Sequence, residues 1–395
     1  MIAHPTVQRN KPTVSVRTLT TASKVAVIGG GPAGASAALA LARAGCPVTL
    51  IERAASPELR VGETVPPAIQ QALEQLGVWR EFLADGHTAS TGNCSVWGSA
   101  QAQERDFIFS PYGRGWHLNR QRFDQMLRVA AVRAGAQLIT GAHLQQATPT
   151  ANGRWHLALT RCGASSAPDI SLTANFVVDA SGRGAHFARQ LGAKRRTFDR
   201  LLGFAVYLES ALPSLFTLVE ATRDGWWYSA ALPDGRQIVT FMTDSDLPAA
   251  RQARTLTGWR QLLQQTEQTS ARCAHAAAQT QITPCIVPAQ SSCLSVAAST
   301  NWLAIGDAVA TYDPLSSQGI SVALAHGLAA ASLIPSRFAR QYQSLTTHTQ
   351  QLAQRYAQYL TQRRAYYALE RRWPTAPFWS RRQPRIQPSQ ENDHA

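Results

Sequence analysis

The chain has 395 residues, 45% hydrophobic and 16% charged, with 38 Lys and Arg against 24 Asp and Glu and a formal net charge of +14. That length suits one large core or two coupled domains. The charge excess is almost all arginine, since Lys11, Lys24 and Lys194 are the only lysines. Scattered in this way it suits an acidic protein or an anionic membrane surface, and no nucleic-acid partner is expected because the rest of the chain reads as a cofactor enzyme. The six cysteines form no C-x-x-C pair and no Cys/His cluster with zinc spacing, so no metal site is expected.

Residues 1–23 lack the apolar core of a secretory signal and read as a disordered extension. Free thiols and the missing signal point to a cytoplasmic location. Lys24–Gly29 is a short β-rich run, Ala33–Ala44 an alanine-rich helix and Pro47–Ile51 a buried strand, which together make a βαβ unit. Helical spacing returns over Pro66–Leu76 and Gln121–Ala134. Arg154–Thr160 and Asn175–Asp179 read as strands. From about 200 the runs Leu201–Leu208, Phe216–Glu220, Gly225–Leu232 and Gln237–Thr243 are short and rich in β-branched and aromatic residues. Asp-Gly pairs punctuate them, which predicts an inserted antiparallel sheet. Helical character resumes over Pro248–Gln268, a strand is predicted at Trp302–Ile305, and helices at Gln318–Leu333 and Pro335–Glu370. The apolar run Gly319–Ile334 is short for a membrane span and carries Ser321 and His326, so it reads as a buried helix.

The segment Gly29-Gly-Gly31-Pro-Ala33-Gly34 fits G-x-G-x-x-G, directly after a strand and opening a helix. Such glycines let backbone amides approach a pyrophosphate at the helix N-terminus. Glu52 ends the second strand beside Arg53, where a carboxylate can accept hydrogen bonds from an adenosine ribose. This motif alone does not separate NAD from FAD. A second motif, Gly306-Asp307 followed by Pro314 and Gln318-Gly319-Ile320, again follows a strand and opens a helix. Asp307 suits a ribityl or ribose hydroxyl. Pro314–Gly319 would present backbone N–H groups to electron-rich flavin edges.

This G-D…P…G pattern resembles the para-hydroxybenzoate hydroxylase-like FAD monooxygenases, and Val178-Asp179-Ala-Ser-Gly182-Arg183 resembles their D-G motif. The resemblance implies an α/β fold. It consists of a Rossmann-like FAD-binding domain with an inserted antiparallel-sheet substrate domain and a C-terminal helical region. The expected division is 1–23 extension, 24–195 FAD-binding domain, 196–290 substrate domain, 291–335 return to the FAD-binding domain, and 336–395 C-terminal helix and basic aromatic tail. Gly62-Glu63-Thr64-Val-Pro-Pro67 is similar to the G-E-x-x-x-P strap of flavin-dependent halogenases and geranylgeranyl reductases, which joins the flavin and substrate sites. Arg120, after Trp116-His117, resembles the family arginine that approaches the flavin. Asp224-Gly-Trp226-Trp227-Tyr228 resembles the halogenases' tryptophan-rich strand. Trp97, Trp116, Trp227 and Tyr228 are the expected pocket aromatics, with core packing as the plainer role for each.

Halogenases of this kind place a halide-relaying lysine some thirty residues after the strap. Here His87–Gly98 offers Asn93, Cys94, Ser95 and Trp97 instead. The departure moves the expected chemistry from halogenation to oxygenation or reduction. The overall pattern resembles most the subgroup that matures protein-derived quinone cofactors by hydroxylating a tryptophan in a partner polypeptide. That implies FAD, with NAD(P)H or a partner reductase as electron donor. Hydroxylation of a free aromatic metabolite, geranylgeranyl-type reduction and a non-catalytic assembly role remain alternatives. No catalytic side chain is demanded, and His117 is the candidate for proton transfer. The tail interleaves Arg363, Arg364, Arg371, Arg372, Arg381, Arg382 and Arg385 with Tyr366, Tyr367, Trp373, Phe378 and Trp379. It is expected either to dock an acidic protein or a membrane surface, or to be a solvated helix with a loose end.

Overall fold

The structure, a computed structural model, describes residues 19–56, 61–163, 170–209, 214–274, 283–338 and 343–383. Its first layer is a mostly parallel sheet. The strands Trp302–Ala304, Ile170–Asp179, Leu19–Ile28, Val48–Glu52 and Gln137–Thr140 lie side by side in that order, all parallel. Val25–Val27 and Leu50 are fully buried, as a strand covered on both faces requires. Residues 1–18 of the expected extension lie outside the described residues. Its last five, 19–23, are not an extension: they form the beginning of the first strand, in register with Ile170–Ala174.

The alanines of Pro32–Arg43 have a packing reason. The helix is buried along Ala33–Leu39, between the sheet and the helix Gly319–Phe338. The two helices approach so closely that a Cβ on Gly327 would lie 2.0 Å from Ser36 Oγ. A strap and a small sheet follow: Thr64–Val65 and Thr88–Ser90 both pair with Gly115–His117.

The second large sheet is seven-stranded, in the order Cys285–Pro288, Leu201–Glu209, Arg236–Asp244, Gly225–Ala231, Phe216–Thr222, Gly92–Val96, Gln103–Asp106. The four strands predicted between 200 and 245 are all present. The sheet also draws Gly92–Val96 and Gln103–Asp106 from the stretch assigned to the FAD-binding domain, with Gly92–Val96 running parallel to Phe216–Thr222. It is therefore not purely antiparallel and not confined to 196–290. Alternation gives it two faces. Phe204, Val206, Trp227, Val239 and Phe241 form a bulky core with the helices Pro248–Gln252 and Leu256–Leu263. The opposite face carries Ala205, Tyr207, Tyr228, Ala230 and Ile238, with Val61 of the strap packed against it.

The C-terminal helix Gln343–Leu369 and the short helix Pro377–Ser380 close the molecule. Tyr367, Phe378 and Trp379 are fully buried with Trp226 and Met242 of the seven-stranded sheet. Much of the tail is thus core rather than a solvated end. Arg364, Tyr366, Leu369 and Arg371 still face outward, and Arg385 lies outside the described residues. Among the described residues, no helix is long and apolar enough to cross a membrane.

Candidate active site

Three motifs far apart in sequence meet at the C-terminal ends of the parallel strands. Backbone bonds lock them together: Gly29 N–H donates to Ile51 O (2.8 Å), Ala180 N–H to Ile28 O (2.8 Å) and Ile305 N–H to Asp179 O (2.9 Å). At Gly34 a Cβ would sit 1.8 Å from Gly29 O, so the turn cannot form with any side chain there. The helix Pro32–Arg43 begins at Gly31 with no side-chain cap and no acid in its first turn. Its positive end is left to an anion. Glu52 is buried, and its Oε2 accepts from Gly30 N–H (2.6 Å) while Oε1 accepts from Ala54 N–H (2.9 Å). A carboxylate oxygen has a second lone pair, so Glu52 remains able to receive a ribose hydroxyl. The neighbouring Arg53 side chain is exposed.

Asp179, the acid of the D-G motif, ends the strand Ile170–Asp179. Its Oδ1 accepts from the Ser181 hydroxyl (2.5 Å) and N–H (3.1 Å), and its Oδ2 from Ala188 N–H (2.9 Å). With both oxygens engaged and the side chain fully buried, it shapes the turn between strand and helix.

Asp307 is 43% exposed and lies 3.8 Å from Arg183 Nε. Arg183, Arg120 and Arg195 act on its carboxyl and favour the ionised form. Gly306 N–H donates to Nδ1 of the buried His326 (3.1 Å). Burial pushes that imidazole down to about 4, so it stays a neutral acceptor. Pro314 opens a single turn, Ser317 adopts φ +48°, and Gly319 starts the long helix. Pro314 and Gly319 are exposed and Gln318 and Ile320 partly so, which leaves this helix end open as well. The residues present fit FAD: an uncapped helix N-terminus at Gly31, a second helix with no acid in its first turn starting at Gly319, a cradle that admits no Cβ, and the carboxylates Glu52 and Asp307.

Sequence reasoning missed what holds the Asp313–Gly319 turn. Asp313 is buried and accepts from Arg363 Nε (2.9 Å) and the Tyr367 hydroxyl (2.9 Å), while its N–H donates to the Tyr359 hydroxyl (2.6 Å). Arg363 also pairs with Asp199 (2.9 Å). The Asp313 partners lie some fifty residues away in sequence and Asp199 lies farther still, and nothing local marks them.

The strap packs against the seven-stranded sheet. Arg120 donates to the carbonyls of Val61 (2.9 Å) and Gly62 (3.1 Å) and pairs with Asp124 (3.3 Å). Glu63 is buried, with Oε2 accepting from Gly62 N–H (2.8 Å) and Oε1 from the Tyr207 hydroxyl (3.3 Å). Thr64 and Tyr228 share a 2.5 Å hydroxyl–hydroxyl bond. Burial, outweighing the hydrogen bonds and Arg120, lifts Glu63 to about 7. His117 is fully buried against Thr217 (3.1 Å), and burial with Arg272 nearby holds it down at about 4. It is neutral at physiological pH, which suits it to packing more than to donating a proton.

The four expected pocket aromatics do not converge. Trp227 lies in the bulky core against Phe241 and Trp259, on the sheet face away from the strap, so it lines no pocket with Tyr228. Trp116 packs edge-on against Trp79 and Phe82. Trp97 packs against Trp226, Tyr367 and Trp379. Tyr228 bonds the strap through Thr64, and Trp116 is paired in strand register with Val65.

Comparison with known proteins places these features. A family model described as FAD binding domain matches residues 22–362. The putative FAD-dependent oxidoreductase LodB of Marinomonas mediterranea is 28% identical over 360 residues, covering 90% of this chain and 95% of that protein. The structure of CmlS, a flavin-dependent halogenase, matches with a TM-score of 0.81 at 26% identity, covering 93% of this chain and 68% of that one. The peptidyl tryptophan dihydroxylase QhpG, essential for tryptophylquinone cofactor biogenesis, matches with a TM-score of 0.69 at 24% identity, covering 93% of this chain and 80% of that one.

Proposed function

The chain belongs to the FAD-binding domain family, and on that premise we propose that it is a monooxygenase hydroxylating an aromatic group, an indole or tryptophan side chain, on a partner protein whose quinone cofactor it helps to mature. That it is an FAD-dependent oxidoreductase follows from the family. The observation that carries the finer reading is the amine-free strand Gly92–Val96 of the seven-stranded sheet. Gly92–Val96 brings Asn93, Cys94 and Ser95 into the seven-stranded sheet, and the chain has no lysine between Lys24 and Lys194. Halide relay needs such an amine, and oxygen transfer needs none. The likeness to LodB over nearly its whole length supports the oxidoreductase, and the shared fold with QhpG supports the finer reading.

Backbone N–H groups at Gly29–Gly34 would hold the pyrophosphate, Glu52 the adenosine ribose, and Asp307 with the Pro314–Gly319 turn the flavin end. When bound, FAD supplies the redox and oxygen chemistry that no side chain here can. The protein orients the reactants and excludes water. NAD(P)H binding transiently, or a partner reductase, delivers the electrons. The outward-facing Arg364, Tyr366, Leu369 and Arg371 are the proposed contact for an acidic partner.

The test is co-expression with a quinone-enzyme precursor, followed by peptide mass spectrometry. The expected result is oxygen added at a precursor tryptophan only when this chain is present. A precursor that gains its full quinone content without the chain overturns the proposal.

A further inference from the structure

The strap face of the seven-stranded sheet is unlike the rest of the core. Its bulky counterpart is aliphatic and aromatic. The strap face instead sets hydroxyls among small residues: Tyr207 beside Ala205, and Tyr228 beside Thr240 and Ala230. Thr240 is fully buried and its hydroxyl has no hydrogen-bond partner among the described residues. Onto this face the strap lowers Glu63, whose two oxygens meet one backbone N–H and one phenol. A buried carboxyl with a single neutral side-chain partner is not an ion pair. Arg120, the cation that acts on it from the helix Arg120–Arg133, is itself spent on the Val61 and Gly62 carbonyls and on Asp124.

Tyr207 leads away from Glu63 toward the outside. It is only partly buried, and its ring is stacked under Arg236 at 5.2 Å. Arg236 pairs with Asp234 (2.6 Å), and both are about one-third exposed. The groups acting on the pair are therefore Arg120 from one side, Arg236 and Cys285 from the outer strands, and Tyr228 from within the sheet.

We propose that Glu63 and Tyr207 form a proton-exchange pair that connects the strap site to solvent and carries away the proton released when the aromatic substrate is hydroxylated. The proposal deepens the hydroxylase reading and rests on it. In that reaction one atom of dioxygen forms the new C–O bond. The other leaves as water, taking two electrons from the reductant and its protons from solvent. The ring carbon then sheds its hydrogen as a proton, and a base must receive it if aromaticity is to return. The Glu63 carboxylate takes that proton, and Tyr207, hydrogen-bonded to it, passes the charge change outward by donating and re-accepting. Burial that brings Glu63 close to neutrality suits a group that must be both acceptor and donor in one cycle. His117, held neutral and bonded only to Thr217, has no comparable path outward.

The experiment has two readouts on the FAD-loaded protein with the variants Glu63→Gln and Tyr207→Phe. Infrared titration follows the C=O stretch of a protonated carboxyl. The expected band disappears as pH rises through neutrality, is missing in Glu63→Gln and is shifted in Tyr207→Phe. Single-turnover hydroxylation of the precursor is expected to fall about a hundredfold in Glu63→Gln and to lose its pH dependence near neutrality. Tyr207→Phe should fall less, with bound FAD unchanged in both. A protonated-carboxyl band that persists in Glu63→Gln, or a wild-type rate and pH profile in that variant, overturns the pair. If the wild type adds no oxygen to the precursor, the hydroxylase reading fails instead. The infrared titration then still decides whether Glu63 and Tyr207 exchange a proton.

Discussion

The flavin cradle and the C-terminal clasp do comparable work by opposite means. The cradle is made of backbone: glycines that admit no side chain, strand-end carbonyls, and an uncapped helix end. The clasp is made of side chains from distant positions. Arg363 bridges Asp313 and Asp199, Tyr367 reaches both Asp313 and Trp226, and Arg382 holds Asp244. A backbone site fails by steric exclusion. A side-chain site fails by leaving a partner buried and unpaired. The two should therefore break differently under mutation.

The largest effect is expected in the cradle. Gly34→Ala places a methyl against Gly29 O, within covalent-contact range, so the turn must open. The flavin-to-protein absorbance ratio of the purified variant should fall to near zero. A variant that retains full FAD would mean the turn can shift, and the contrast would weaken. The clasp comes next. The Arg382 side chain is 4% exposed and bonds both oxygens of Asp244, which is 3% exposed. Arg382→Ala strands one of the Asp244 contacts in a buried setting, at a cost of about 3–5 kcal/mol in denaturant unfolding. Removing residues 365–395 is accordingly no clean probe of partner docking, since it strips Tyr367, Phe378 and Trp379 from the core.

The same contrast explains what could be read from the sequence. Gly29–Gly34, Glu52 and Gly306–Gly319 were legible because a backbone cradle is written in contiguous residues at fixed spacing. The strands from Leu201 to Asp244 were legible by alternation, which also put Trp226 and Tyr228 on one face and Trp227 on the other. Which of those faces meets the strap was not legible. It depends on the helices at 248–263 covering the Trp227 side, a long-range packing choice. The clasp was invisible for the same reason. Arg363 and Arg382 read as surface charge until Asp313 and Asp244 are brought to them. The Asp179 motif was legible because it is local, whereas the bonds of its oxygens to Ser181 and Ala188 are seen only in the fold.

Glu63 lies between the two regimes, on the strap that joins them. Its pKa of about 7 stands above the ordinary 4.5, so the folded protein keeps a proton that the unfolded chain has already lost. Stability from this group is full below pH 4.5 and is lost as pH rises through about 7, a decline of up to about 3 kcal/mol. Unfolding free energy measured from pH 5 to 8 should fall in the wild type and stay flatter in Glu63→Gln. Equal slopes would place Glu63 among ordinary ionised surface carboxylates and remove it from the strap's core.

The smallest effect tests whether burial, and not the number of ion pairs, gives the clasp its weight. Arg200 belongs to the same network as Arg382: it bonds Asp246 at 2.7 Å, and Arg381 bonds both Asp246 and Asp244. Its side chain is 67% exposed, however, and Asp246 keeps Arg381 when Arg200 is gone. Water screens the first pair and the remaining cation satisfies the carboxylate. Arg200→Ala should therefore cost under about 1 kcal/mol, despite bonds as short as those of Arg382. Measured by denaturant unfolding beside Arg382→Ala, the two variants should differ severalfold. A comparable loss in both would mean the five charges act as one cooperative unit, and the outer rim around Arg200 would count as part of the clasp rather than its solvent-screened edge.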